Sequence, residues 1–500
     1  MLESYQVEHN SQNIYFRSIV GAAEAGSRLR LGIRIRTFEP IHQVLVRLWQ
    51  DQTGERLIPL ETKDGQNEQK FYTAWINLPD YGCLVWYYFI ITAESGTYFY
   101  GNNAEMLGGV GTLSTEAPES YQITIYNKGA RTPDWFKNAV MYQIFPDRFA
   151  RSGDTIVRKK GAVIRADWTD DPMYLKDPDT KEIIAYDFFG GNLRGVMEKL
   201  DYLKSLGISC IYFNPVFESE SNHHYDTGDY HKIDPVLGDI EDFRALVTAA
   251  EERGIRIILD GVFSHTGSNS IYFNRQHQYS SLGAYQSKES PYYSWYHFRN
   301  YPNEYDCWWD FDTLPNVNET DPAYMDFVIT GKDSVLHHWM NEGIAGWRLD
   351  VIDELPPTFS KTFFAELKKR NPDAVMIGEV WEDASNKVAY GTPREYLSGS
   401  EMDSAMNYPL RTMMLDFLTG AVDGRQTARR LASQIENYPK ENLYAMMNLI
   451  GSHDVQRAIT VLAGVPYYEG MPAIEQSRVR MTPEQFDLGS RRLLMATLWQ

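Results

Sequence analysis

Two rhythms of apolar residues divide the chain. From residue 12 to about 125 the apolar and aromatic positions fall in short runs, IYFRSIV, LRLGIRIRT, QVLVRLWQ, QKFYTAWINL, LVWYYFIIT and TYFYG, separated by turn residues. In LRLGIRIRT apolar and basic residues alternate, as a strand with one buried and one wet face requires. Such runs predict a β-sandwich over residues 1–126. A module of this kind could bind a ligand, mediate dimerisation or shield the next domain.

After NKGARTPD (127–134) the rhythm changes to strand–helix alternation. The helical run Leu193–Leu206 stops at Gly207 before the strand ISCIYFN, and the run Ile240–Arg253 stops at Gly254 before IRIILDG. A third helix is predicted from Asp321 as N-cap and Pro322 at the first helical position, with Phe327, Val328, Val335 and Trp339 at helical spacing, up to Gly343. The strand that follows begins IAGWRLD. Three copies of helix, glycine, isoleucine and buried strand predict repeated βα units with parallel strands. Further strands are read in AVMYQIF (139–145), AVMIGEV (374–380), DSAMNY (403–408) and AMMNLIGSHD (445–454), which makes seven.

The expected fold class is therefore α/β: a (β/α)8 TIM barrel whose eighth strand lies beyond Gln500, with the N-terminal sandwich and an insertion after the third barrel strand. The expected domains are 1–126 as a sandwich like a carbohydrate-binding module, 127–264 as the first part of the barrel, 265–318 as the insertion and 319–500 as the remainder. The insertion carries YYSWYHFRNYPNEYDCWWDF, and loops of that length inside a compact domain are usually functional.

Composition narrows the chemistry. Sixty-seven acidic against 48 basic residues give a formal net charge of −19, which weighs against nucleic acid as a partner. No run approaches the roughly twenty apolar residues of a membrane span. The start MLESYQVEHNSQ lacks the basic and apolar runs of a secretory signal, and three scattered cysteines do not suggest a disulfide framework. The expected location is cytoplasmic. Thirty-three Tyr, 23 Phe and 12 Trp exceed what a core usually needs, and flat rings suit the C–H faces of sugars.

The charged residues gather where barrel enzymes keep their chemistry, at the carboxyl ends of strands. Asp260 and His265 follow IRIIL, Arg348 and Asp350 end the fourth strand, Glu379 ends the fifth, and His453 and Asp454 follow the seventh. Asp and His could converge on a divalent ion, but no HxH or HExxH spacing accompanies them. Paired carboxylates among aromatics suit glycoside hydrolysis, where one acid attacks or assists water and the other protonates the leaving oxygen. Arg348, two residues from Asp350, is expected to keep that aspartate ionised.

The segments DGVFSH (260–265), GWRLDVIDE (346–354), IGEVWE (377–382) and GSHD (451–454), in this order, resemble the conserved stretches of the α-amylase superfamily. The N-terminal sandwich, FFGGNLRGV, the block IYFNPVFESESNHHYDTGDY and Glu354 make the chain similar to the neopullulanase, cyclomaltodextrinase and maltogenic amylase group, and EVWEDASNK is similar to amylopullulanases. The resemblance implies Asp350 as nucleophile of a retaining double displacement, Glu379 as general acid/base, and Asp454 as the third carboxylate that grips substrate hydroxyls. It also implies that Arg348, His265 and His453 surround the reacting sugar, Tyr225 stacks beneath it, Trp381 lines the next subsite outward and Asp260 anchors the polar network. Substrates implied are maltooligosaccharides, cyclodextrins or pullulan, with transglycosylation or non-catalytic glucan binding as alternatives on the same scaffold. No cofactor is required. A calcium ion of some relatives would fall near Arg151–Asp154, with Asp154 its candidate ligand. Relatives of this kind imply a homodimer through the N-terminal domain. Ser264, Ile352-Asp353 and LPNVN (314–318) depart from the group's usual Asn, Ala-Asn and MPKLN, in loops expected to border the substrate.

Overall fold

The computed structural model describes residues 2–63, 69–153, 159, 161–176, 183–467, 470–476 and 478–500. The chain forms two compact units, Met1–Thr132 with Trp381–Asn448, and Pro133–Val380 with Leu449–Gln500.

In the first unit Arg28–Arg36 runs antiparallel between Val7–Glu8 and Gln69–Asn77, with Glu61–Lys63 outside the latter. A second sheet is centred on Cys83–Ala93, whose burial alternates residue by residue. Ile41–Gln50 pairs along one of its edges, and Tyr121–Tyr126 and Gly96–Gly101 share the other. Leu29, Leu31, Ile33 and Ile35 are buried in one cluster with Val46, Leu48, Tyr87, Phe89 and Ile91, each worth roughly 1.5–3 kcal/mol of transfer free energy. Gly32 breaks the alternating run for a steric reason: a Cβ there would come within 2.2 Å of the Phe71 ring. One expected strand is absent. IYFRSIV turns instead, with Phe16 and Arg17 N–H groups donating to Asn13 O, because Arg17 is drawn inward. Its buried guanidinium donates to Gln122 O, Gly21 O and Glu436 at 2.7–3.1 Å. Glu436 lies on the helix Gly424–Asn437 of the second segment of this unit.

The second unit is built on five parallel strands in sequence order: Met141–Ile144, Cys210–Phe213, Arg256–Gly261, Gly346–Leu349 and Val375–Gly378. All four residues of Gly346–Leu349 are buried, which is why this strand reads as a solid apolar run rather than an alternating one. Gly346 lets the next strand close in, since a Cβ there would meet Val375 O at 2.1 Å. The three expected helix-ending glycines, Gly207, Gly254 and Gly343, all have left-handed φ values.

The helix between Asp321 and Gly343 is not continuous. Asp321 caps Pro322–Met325 as expected, its carboxylate accepting from Ala323 and Tyr324 N–H. A single π turn, Asp326–Thr330, then breaks at Gly331, and Ser334 caps a second helix, Val335–Asn341. Ser334 O–H also donates to Ile329 O, so the hydroxyl closes both ends of the interruption. Leu193–Leu206 is likewise split, into Leu193–Glu198 and Leu200–Ser205. DSAMNY contributes only Ser404–Ala405 as strand, and AMMNLIGSHD only a bridge from Met447 to Met406, both within the first unit. The helix Lys440–Tyr444 leaves that segment little length to extend. Among the described residues no helix is long and apolar enough to cross a membrane.

Residues 265–318 begin and end on a bridge between His265 and Asn316. Their aromatic surplus is largely packing: Phe273 touches Tyr285, Tyr296, Phe298 and Tyr305. Trp309 and Phe311 are exceptions, and both are exposed.

Candidate active site

Register brings the acids together. Asp260 is the cross-strand partner of Arg348, Asp350 N–H donates to Gly261 O and Glu379 N–H to Leu349 O. Three neighbouring strands thus deliver Asp260, Arg348, Asp350 and Glu379 to one end of the sheet. One guanidinium serves all three acids. Arg348 Nη1 lies 2.8 Å from Asp260 Oδ1 and 2.7 Å from Asp350 Oδ1, and Nη2 lies 2.6 Å from Glu379 Oε2. Val351 adopts a left-handed backbone, φ 33° and ψ 64°, a strained conformation for a β-branched residue. Its N–H donates to Glu379 Oε2 at 2.8 Å, so the strain directs a dipole at a proposed reacting group.

Three buried carboxylates around one cation cannot all ionise cheaply. Burial pushes the Asp350 carboxyl well above the usual carboxylate range, Arg348 pulls it back, and the charges of Glu379 and Asp260 push it up again. Arg348 thus favours the charged form of Asp350, the expected direction, but its guanidinium is divided among three acids. Arg348 is fully enclosed and acts through the acids it holds. Asp260 also accepts from Tyr212 and Tyr225 hydroxyls, at 2.6 and 2.8 Å.

His453 joins this group through Tyr225. The two rings stack at 5.3 Å, and Asp454 Oδ2 lies 3.2 Å from His453 Nε2. Burial first, and the Glu379 charge next, raise Asp454 to about 6. His265 stands one step away: its Nε2 hydrogen-bonds to Tyr225 O, its Nδ1 to Ser264 Oγ, and its ring is 5.3 Å from Trp308. Burial lowers His265 to about 4. Glu354 accepts from the indole N–H groups of both Trp308 and Trp309, tying the insertion to the loop after Asp350. Trp381 belongs to the first unit, half exposed and stacked face to face on Tyr408 at 4.1 Å. Asp154 lies outside the described residues, and among the described residues no group of three or more His, Cys, Asp or Glu is arranged to hold a metal ion.

Three members of the network escaped the sequence reading: Tyr212, Asn214 and Gln143. Gln143 and Asn214 are lone amides in the apolar runs MYQIF and IYFNPV. A polar residue inside a buried strand was the signal that could have found them.

Residues 143–472 match the family model described as alpha amylase, catalytic domain. The chain belongs to the alpha-amylase family. The five consecutive parallel strands are accordingly part of that family's TIM barrel. The chain is 36% identical over 537 residues to an amylopullulanase of Thermoanaerobacterium saccharolyticum, covering 99% of this chain and 40% of that protein. It is 33% identical to the intracellular maltogenic amylase of Bacillus subtilis over 75% of this chain and 59% of that protein. A solved cyclomaltodextrinase structure aligns with a TM-score of 0.58 and 27% identity, over 92% of this chain and 73% of that one. The chain thus spans about 40% of the length of the amylopullulanase it matches.

Proposed function

We propose that the protein is a retaining α-glucan hydrolase that cleaves α-1,4 and also α-1,6 glucosidic bonds of maltooligosaccharides, cyclodextrins or pullulan. The observation that carries this reading is the sharing of Arg348 by Asp350, Glu379 and Asp260 within 2.6–2.9 Å. A retaining glycosidase needs one carboxylate ionised to attack and a second protonated to release the leaving oxygen. A cluster of three buried acids with one cation supplies both states. In this reading Asp350 attacks the anomeric carbon, and Glu379 gives its proton to the departing oxygen and then takes one from the incoming water. Asp454, more open to solvent, grips the sugar hydroxyls beside His453. Asp260 and Arg348 hold the acids, and Tyr225 and His265 shape the floor.

Names of relatives support the substrate class: amylopullulanase, maltogenic amylase and cyclomaltodextrinase. The relative named intracellular favours a cytoplasmic location. The exposed Trp49, Leu57 and Trp75 of the sandwich favour a homodimer through residues 1–126, which light scattering at micromolar concentration would contradict by reading a single chain. The function itself is tested by chromatography of products from maltotriose, β-cyclodextrin and pullulan. Maltose and glucose from maltotriose are expected, and no cleavage of any of the three would overturn the reading.

A further inference from the structure

A chain of hydrogen bonds leaves the acid cluster through Tyr225 and ends on the first parallel strand. Tyr225 Oη lies 2.8 Å from Asp260 Oδ2, 2.7 Å from His453 Nε2 and 3.1 Å from Asn214 Nδ2. Gln143 Nε2 lies 2.8 Å from Asn214 Oδ1 and 2.8 Å from His453 Nδ1. One arrangement of protons satisfies all five contacts. Asp260 is held by Arg348 through both oxygens and is an acceptor, so the single Tyr225 proton goes to it. The Tyr225 oxygen then accepts from its other two neighbours. Asn214 must turn its amide N–H toward the phenol, and His453 must carry a proton on Nε2.

The constraint propagates. Asn214 Oδ1 now faces Gln143, which must present its own NH2 group, and the second N–H of that group points at His453 Nδ1. Reversing the Gln143 amide alone sets two carbonyl oxygens against each other. Reversing both amides leaves the one proton of Tyr225 facing two acceptors, Asp260 Oδ2 and Asn214 Oδ1, even when His453 is doubly protonated, and a third, His453 Nε2, when it is neutral. Neither alternative is compatible with a buried network.

We propose that Gln143 is a positioning residue for the proposed hydrolysis: by donating to Nδ1 it holds His453 neutral, with its one proton on Nε2, so that the proton the proposed reaction needs on a carboxyl group is not taken up by the imidazole. An ordinary histidine 3.2 Å from Asp454 would compete for that proton, because an unperturbed imidazole is more basic than a carboxylate. Here a second proton on Nδ1 would meet an N–H donor head on. The groups facing His453 are Tyr225, Asp454 and, farther off, Arg348 and His223. Burial above all, then the charges of Arg348 and His223, lower His453 to about 3, which agrees with the hydrogen-bond assignment. The proposal rests on the hydrolase reading for its purpose, but the protonation state can be read without substrate.

The test is nitrogen NMR of the full chain labelled with 15N-histidine, His453 being assigned with a His453→Gln variant, alongside the pH profile of kcat and KM on maltotriose. In the unaltered protein His453 is expected neutral, with its proton on Nε2, throughout pH 5–8. Gln143→Met keeps the bulk and removes the donor, and should raise the proton affinity of His453 about tenfold, the worth of one hydrogen bond. Gln143→Glu sets an acceptor against Nδ1 and should keep His453 doubly protonated up to neutral pH. It should lower kcat about 10–100-fold, a range typical of groups that orient a reactive neighbour, with KM little changed. A proton on Nδ1 in the unaltered protein, or the same His453 titration in it and in Gln143→Met, overturns the proposal; either reading stands even if Gln143→Glu does not fold. Failure of the unaltered protein to cleave maltotriose, β-cyclodextrin and pullulan alike would instead overturn the hydrolase reading and leave the nitrogen shifts to decide the role of Gln143.

Discussion

The acids delivered by strands and the acid delivered by a loop are held in opposite ways. Asp350 and Glu379 leave adjacent strands, are buried, and share the guanidinium of Arg348. Asp454 follows the strand-free stretch 449–453, keeps a third of its side chain in water, and meets His453 at 3.2 Å. Under the proposed mechanism the difference is a division of labour. Groups that make and break bonds need placement to within about half an ångström, which paired strands provide. A group that grips hydroxyls gains from being able to follow its ligand.

Removing the shared cation should break the first half of this comparison most severely. Arg348→Met leaves Asp260, Asp350 and Glu379 buried without a counter-charge, and a loss of about 3–5 kcal/mol in urea unfolding at pH 7 is expected, as for other broken buried pairs. The loss should shrink as pH falls, because a protonated carboxyl needs no cation. An unfolding midpoint unchanged at pH 7 would show that Arg348 does not hold the acids together.

The loop side should respond with a smaller change of opposite sign. Asp454 is raised from its ordinary 3.8 to about 6, so between those values the folded chain keeps a proton that the unfolded chain has lost. Stability therefore falls as pH rises through that window. Asp454→Asn is expected to change stability little below pH 4 and to raise it above pH 6, by about 1 kcal/mol once the screening of a partly exposed side chain is allowed for. Glucan turnover should fall in the same variant. An equal gain at pH 4 and pH 8 would mean that the carboxylate charge is not the cause.

The same contrast explains what was legible in the sequence. Asp260, Arg348, Asp350 and Glu379 stood out because charges at the ends of apolar strands are conspicuous, and parallel register then fixes their neighbours. The helix-ending glycines were legible because their left-handed φ demands that residue. The break at Gly331 was not, since the apolar spacing from Phe327 to Trp339 continues across a π turn that only Ser334 and its hydrogen bonds reveal. IYFRSIV looked like a strand because nothing local says that Arg17 will pair with Glu436, more than four hundred residues away. Gln143 and Asn214 carried only the faint signal of an amide in an apolar run, for a related reason: their partners, His453 and Tyr225, come from other parts of the chain.

The central claim, that Asp350 is the nucleophile, is tested most directly by trapping the glycosyl-enzyme. The protein would be incubated with a fluorinated α-maltosyl fluoride and its peptides mapped by mass spectrometry. The account predicts one maltosyl-derived group, carried on the peptide that contains Asp350 and lost in Asp350→Asn. A label on Glu379 or Asp454, or turnover that persists in Asp350→Asn, would contradict it.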